Sequence, residues 1–241
     1  MKNRIRMMVA LAVLAMAGLA QAAEEGWSFK VTPYLWALGV DGDIGVGAAT
    51  AEVDVDFVDA VKDLQFGGML SAEADYGRWA ILGDAAYLNL ETDEDTRVGE
   101  FEVDLKQWLV QGAMAYSVMK TETTVLDLGV GGRYMALDTT LNTPRDTADR
   151  EASEGWIDPI LVARLRQQFT EKFYGVLYGD IGGFGVESDL TWHVTAAAGY
   201  SLTDSISMLA GYRYLDYDYE EDAFQLDLAE HGIVIGLQFA L

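Results

Sequence analysis

The feature that most limits what this chain can become is an alternation of apolar with small or polar residues, at a period of two, over long segments. Successive side chains of a strand point to opposite faces, so each segment carries one apolar and one polar face. Ten strands read this way, at 26–39, 64–77, 79–91, 100–117, 122–138, 155–169, 172–183, 188–201, 204–217 and 223–240. Several exceed the usual globular strand of about five or six residues and reach the roughly nine to eleven that a tilted strand needs to cross a bilayer. No long helical period, Pro-rich linker or shift of composition interrupts them, which predicts one domain.

The connections alternate in length. Short ones fall at Tyr76–Trp79, Met119–Thr121, Phe169–Glu171 and Thr203–Asp204; the longest, roughly 40–63 and 139–154, lie on the opposite side. The first of these reads as a small hairpin with a helical turn. An even strand count with short turns on one side is the pattern of a closed, antiparallel, up-and-down transmembrane β-barrel, an all-β fold of about ten strands. Parity puts Ile157, Pro159, Leu161, Ala163 and Leu165 toward lipid, and Asp158, Arg164, Arg166 and Gln168 toward the lumen. Aromatic residues gather toward strand ends: Trp27, Phe29, Trp79, Tyr116, Phe173 and Tyr200 at one rim, Tyr87, Tyr134, Trp192, Tyr212 and Tyr214 at the other. Amphipathic rings favour the headgroup level.

Lys2, Arg4 and Arg6 precede an apolar run from Met7 to Ala20 and then Ala20-Gln21-Ala22. That is the three-part pattern of a secretory signal peptide, and the run is too short to span a bilayer. The expected organisation is therefore a leader over 1–22 and an outer-membrane barrel over 23–241, exported to the bacterial outer membrane. Loss of the leader takes the formal charge from −23 to −26, a balance that repels nucleic acid. With no cysteine there is no disulfide framework, thiolate metal site or cysteine nucleophile.

Trp156-Ile157-Asp158-Pro159, Gly179-Asp180-Ile181-Gly182-Gly183-Phe184-Gly185 and Gly211-Tyr212-Arg213-Tyr214, with the opening Thr32-Pro33-Tyr34-Leu35-Trp36, resemble a family of largely uncharacterised proteobacterial outer-membrane barrels, grouped loosely with OmpA-like and opacity-type proteins. The resemblance implies fold and location, and no activity. The C-terminus is similar to the signal read by the barrel-assembly machinery, with Gly236, Phe239 and Leu241 at the expected spacing. It departs in ending on Leu241 rather than an aromatic residue.

One set of charges stands out. Asp84, Arg133, Asp180 and Arg213 follow or neighbour glycines on alternate strands, and parity turns all four inward. A ten-stranded barrel is barely wider than one that side chains fill, and an unpaired buried charge costs several kcal/mol. These four, with Arg164, Arg166 and Glu73, are expected to form an ion-pair network that largely closes the lumen. The alternative is a narrow channel that selects ions or small solutes.

An enzyme is the weakest reading. His193 and His231 are the only imidazoles, and neither a Gly-x-Ser-x-Gly elbow nor a His-Glu-x-x-His helix is present. No cofactor motif, catalytic residue or built metal site is expected. Two acidic stretches read as outer loops able to bridge divalent cations: Asp93, Glu94 and Asp95 in one, and Glu220, Glu221 and Asp222 in the other. The expected partners are membrane lipid, lipopolysaccharide, divalent cations and, during biogenesis, the assembly machinery. The expected role is structural or surface-exposed.

Overall fold

The computed structural model describes residues 26–46, 49–55, 64–96, 99–142, 150–221 and 224–241, with only the backbone at several strand tips, among them 90–96, 99–105 and 139–142. The expected leader lies outside the described residues. Eleven strands follow one another: β1 (Trp27–Val46), β2 (Ala49–Val55), β3 (Leu64–Tyr76), β4 (Trp79–Thr96), β5 (Gly99–Lys120), β6 (Thr124–Asn142), β7 (Arg150–Gln168), β8 (Phe173–Gly183), β9 (Leu190–Ser201), β10 (Ile206–Glu221) and β11 (Phe224–Ala240). All neighbours are antiparallel, and β1 pairs with β11 from Lys30↔Ala240 to Val46↔Phe224, closing the sheet. Ten strands make the wall. β2 is the hairpin expected after β1, folded back on it with Val40 opposite Val55.

Four tight turns define one end of the barrel, called here the turn end. At three of them a threonine hydroxyl replaces a backbone acceptor: Thr121 Oγ1 receives the N–H of Thr124, Thr170 Oγ1 that of Phe173, and Thr203 Oγ1 that of Ile206. At the opposite, far end the strands run on past their sequence-derived limits. β4 reaches Thr96, β5 starts at Gly99 and β10 reaches Glu221.

Polarity explains both the membrane band and the extension. Between the rims the outward residues are apolar and exposed, as at Ile81, Val110, Met114, Val130, Leu161, Leu177 and Ile235. Aromatic contacts mark both edges: Trp79 meets Tyr116 at 5.0 Å at the turn-end rim, and Tyr87 meets Trp108 at 4.6 Å and Trp192 meets Tyr214 at 4.7 Å at the other. From Trp79 to Tyr87 is eight residues, about 26 Å of strand. At the usual tilt that covers most of an apolar band about 25 Å tall. Beyond the far-end rim, the outer one in the orientation expected from sequence, the faces exchange character. On β10, Asp216, Asp218 and Glu220 take the outward side while Leu215, Tyr217 and Tyr219 are buried inside.

The connection from β8 to β9 turns inward at the far end. Gly183, Phe184 and Gly185 take positive φ in succession (83°, 55° and 68°). A side chain at Gly183 would stand 2.6 Å from the Ser188 carbonyl, so only glycine suits that position. The turn delivers Ser188 to Asp158 on β7, which accepts from the Ser188 N–H at 2.9 Å, from its hydroxyl at 2.6 Å and from Trp156 Nε1 at 3.1 Å. The Trp156–Pro159 and Gly179–Gly185 motifs are thus two halves of one latch.

Candidate functional site: the lumen

Register creates the first contacts of the interior. Lys30 stands opposite Glu73, Gln111 opposite Arg133, Asp127 opposite Arg164, Asp180 opposite His193 and Thr195 opposite Arg213. Each pair shares the inward face, where directly opposed side chains meet. Longer side chains then reach across the barrel.

At the turn end Glu73 lies 2.8 Å from Arg164 Nη1, 3.2 Å from Lys30 Nζ and 3.2 Å from Arg166 Nη1. Asp127 is 2.8 Å from Arg164 Nη2 and accepts from the Ser117 hydroxyl at 2.6 Å. Asp75 completes the cluster, 3.5 Å from both Arg164 and Arg166.

Higher up, a second group forms a belt. Arg133 gives Nε and Nη2 to Gln111 at 3.2 Å each and Nη1 to Thr191 at 2.7 Å, and pairs with Asp180. The other Asp180 oxygen faces His193 Nδ1 at 3.1 Å, and His193 Nε2 faces the Thr195 hydroxyl at 2.9 Å. Across the barrel Arg213 Nη1 donates to Tyr34 at 2.6 Å and to Asp84 at 2.9 Å, while the Tyr34 hydroxyl donates to Asp84 at 3.0 Å. The Arg213 guanidinium lies 4.5 Å over the Trp36 ring.

Above the belt the interior is apolar. Trp36, Leu38, Leu109, Met135, Leu215 and Leu228 pack in one buried cluster, with Trp156 stacked on Tyr219 at 4.1 Å. Glu230 enters it with Oε1 accepting from Gln107 and Tyr217 at 2.6 Å each, while its Oε2 is buried without a hydrogen-bond partner. Below the belt two spaces remain. A chamber of about 170 Å³ is bounded by Tyr34, Asp84, Gln111, His193 and Arg213, and a vestibule of about 320 Å³ reaches the turn end past Lys30, Arg166 and Gln168. Glu73, Val176 and Gln238 border both.

All seven lumen charges expected from sequence face inward, but they divide into two storeys. Glu73, Arg164 and Arg166 belong to the lower one, and Asp84–Arg213 and Arg133–Asp180 form the upper as two separate pairs. Lys30, Asp75 and Asp127 escaped the sequence reading, although the parity that turns Glu73 inward also turns Asp75. Tyr34 and Gln111 carried no charge to draw notice.

The acidic loops require correction. Asp93, Glu94 and Asp95 lie on the paired tip of β4, opposite Glu102, Phe101 and Glu100, and their side chains are outside the described residues. Glu220 is on β10, where it accepts from Gln225 at 3.0 Å. Glu221 is the last residue of that strand, and Asp222 lies outside the described residues. On β10 the ladder continues because Tyr217 and Tyr219 keep the inward face apolar after the outward face turns acidic at Asp216 and Asp218. Among the described residues no group of three or more His, Asp or Glu is placed to hold a metal ion.

Among solved structures, the outer-membrane protease OmpT from Escherichia coli is similar at 10% identity, over 89% of this chain and 97% of that one, with a TM-score of 0.54. The fold is that of outer-membrane β-barrel proteins. Neisserial surface protein A matches at 11% identity over 89% of this chain and 96% of its own, with a TM-score of 0.38. The attachment invasion locus protein Ail of Yersinia pestis matches at 11% over 90% and 99%, also at 0.38. No protein-family model matches the chain, and no curated protein sequence does.

Proposed function

We propose that this protein is a sealed outer-membrane barrel, a structural and surface-exposed element of the envelope rather than a pore. The observation that carries the reading is the buried apolar cluster of Trp36, Leu109, Met135, Trp156, Leu215 and Tyr219 across the far half of the lumen, above a belt of paired charges. Apolar side chains packed against one another, with the hydrogen-bonded Gln107–Tyr217–Glu230 group set among them, narrow the lumen to a dewetted constriction that resists ions. Single-chain barrels carry their short turns in the periplasm, so the turn end faces the periplasm and the sealed far end faces outward. The acidic outward faces there meet lipopolysaccharide through divalent cations. The narrower kinship with OmpA-like and opacity-type barrels rests on the sequence motifs.

Planar-bilayer recording of the refolded protein tests this. Silent insertions are expected, and reproducible unitary steps in the wild type would overturn it. Asp180, His193 and Thr195 stand in the order of a proton relay, so ester hydrolysis by the wild type that is lost in His193→Ala would count against a purely structural role.

A further inference from the structure

The barrel wall is uneven in height at the far end. On one side β7 is paired with β6 from Leu141↔Arg150 to Thr124↔Gln167, but on the other β8 accompanies it only from Ile160 to Gln168. β8 stops at Gly183 and β9 starts at Leu190, while β10 runs on past Asp218, its last residue paired with β9, to Glu221. A notch two strands wide therefore lies between the edges of β7 and β10, three strand spacings or about 14 Å across.

Backbone direction decides what the notch exposes. The Pro159 carbonyl points to β8, where it would stand 2.4 Å from a Cβ at Gly182, and the Asp158 carbonyl points to β6, 3.7 Å from one at Gly132. Backbone groups alternate sides along a strand, so Ile157, Gly155 and Ser153 turn their N–H and C=O groups into the notch. All three residues are exposed. Among the described residues no strand pairs with them on that side, and no backbone hydrogen bond reaches them there. Ile157 stands opposite Tyr134 of the aromatic rim, so the edge rises out of the bilayer from headgroup level. The lysines, prolines and bulges that usually blunt a free edge are missing from Ser153–Ile157.

Charge is the second observation. Asp138 and Glu154 flank the edge, Glu187 and Asp189 lie on the floor of the notch, and Asp218 and Glu220 stand on its β10 side. Among the described side chains at that level Lys106, opposite Asp138, is the one base. The floor also exposes Phe184 and Val186.

We propose that the free edge of β7 takes a further strand, an extended basic segment of a partner protein in which lysine or arginine alternates with apolar residues. Main-chain hydrogen bonds to Ser153, Gly155 and Ile157 hold it, as in other strand additions. Its charges meet the acids around the notch, and Phe184 and Val186 give its apolar residues a contact on the floor. That the partner comes from outside the cell rests on the outward placement of the far end in the sealed-barrel reading; the edge itself does not.

Titration of the full chain, refolded in micelles, with the end-blocked octapeptide (Lys-Val)4 tests this. The peptide is expected to bind and to slow amide exchange at Ser153, Gly155 and Ile157. The same peptide with all its backbone nitrogens methylated keeps the charge and donates no main-chain hydrogen bond, and should bind at least about tenfold more weakly. Gly155→Pro removes a notch-facing N–H and leaves the β6 ladder alone. It should weaken (Lys-Val)4 by a similar factor while the heat-modifiable gel mobility of a folded barrel is kept. Glu187→Lys with Asp189→Lys, both on the exposed turn, reverses the charge of the floor and should weaken it too. Equal binding of the methylated peptide, undiminished binding in either variant, or no binding of (Lys-Val)4 would each overturn the proposal. So would slowed exchange at the same amides in lipopolysaccharide vesicles without peptide, which would assign the edge to lipid headgroups. A Ser153→Cys thiol that is labelled in whole cells only after the outer membrane is breached would remove the outward placement, and leave the titration as it stands.

Discussion

Arg133 has no measurable exposure, and its partner Asp180 is buried with it, so what this pair contributes depends on whether both members stay. Removing one member of such a pair leaves an uncompensated charge, at a cost of about 3–5 kcal/mol. Asp180→Leu alone is accordingly expected to lower stability by that amount, read as the urea midpoint of reversible unfolding in lipid vesicles. Replacing both, as Arg133→Met with Asp180→Leu, should recover most of the loss, because an apolar pair of similar volume often matches a buried ion pair. The identity of these residues was legible in the sequence, since a charge turned into a narrow lumen must find an opposite charge or water there. Which acid meets which base was not. Asp84 pairs with Arg213 across the barrel rather than with a neighbour, a choice set by side-chain reach and barrel curvature that no strand encodes alone.

The β8–β9 connection carries its own test. Gly183→Ala forces a methyl toward the Ser188 carbonyl at a positive φ, which should cost about 1–2 kcal/mol and release Ser188 from Asp158. The same urea titration reports the first effect, and faster amide exchange at Ser188 the second. The apolar seal above the belt is also an element-scale device. Trp156→Ala removes one ring of the Trp156–Tyr219 stack, and is expected to convert silent insertions into flickering conductance. Element positions between the rims were legible because lipid demands a strict outward apolar face. Strand tips were not, because beyond the outer rim the alternation persists with its sense reversed, and acidic residues such as Asp218 and Glu220 read as loop. The apolar seal was missed for the same reason: Leu215, Tyr217 and Tyr219 look like lipid-facing residues until their parity is carried down to Arg213.

For the whole molecule, the reversal predicts opposite tolerance on one outward surface. Ile235, 54% exposed in the apolar band, should not accept a charge, and Ile235→Arg is expected to cost about 2–4 kcal/mol of folding free energy in bilayers. Asp227, beyond the outer rim, stands directly opposite both Asp43 and Asp218, a row of like charges that opposes folding. Asp227→Asn should therefore stabilise slightly, by about 0.2–1 kcal/mol. Partial burial, then the charge of Asp227, holds the Asp218 carboxyl above its ordinary range. A raised carboxylate pKa means that the folded state takes up the proton more readily, so the row's penalty is full near neutral pH and fades as pH falls toward about 4. The advantage of Asp227→Asn should shrink over the same interval, and magnesium should narrow it at pH 7. An unchanged difference across pH would show that the row carries no repulsion.

The exchange of faces at the outer rim gives the barrel a waterline. A slide of one side-chain pair along a strand, about 5 Å of vertical travel at the usual tilt, would draw Asp216 into hydrocarbon on one stroke and lift Ile233 into water on the other. Depth in the bilayer is thus written into the wall on β1, β10 and β11. Such a molecule rides at a single draught whatever the thickness of the membrane around it, and the membrane is what must yield.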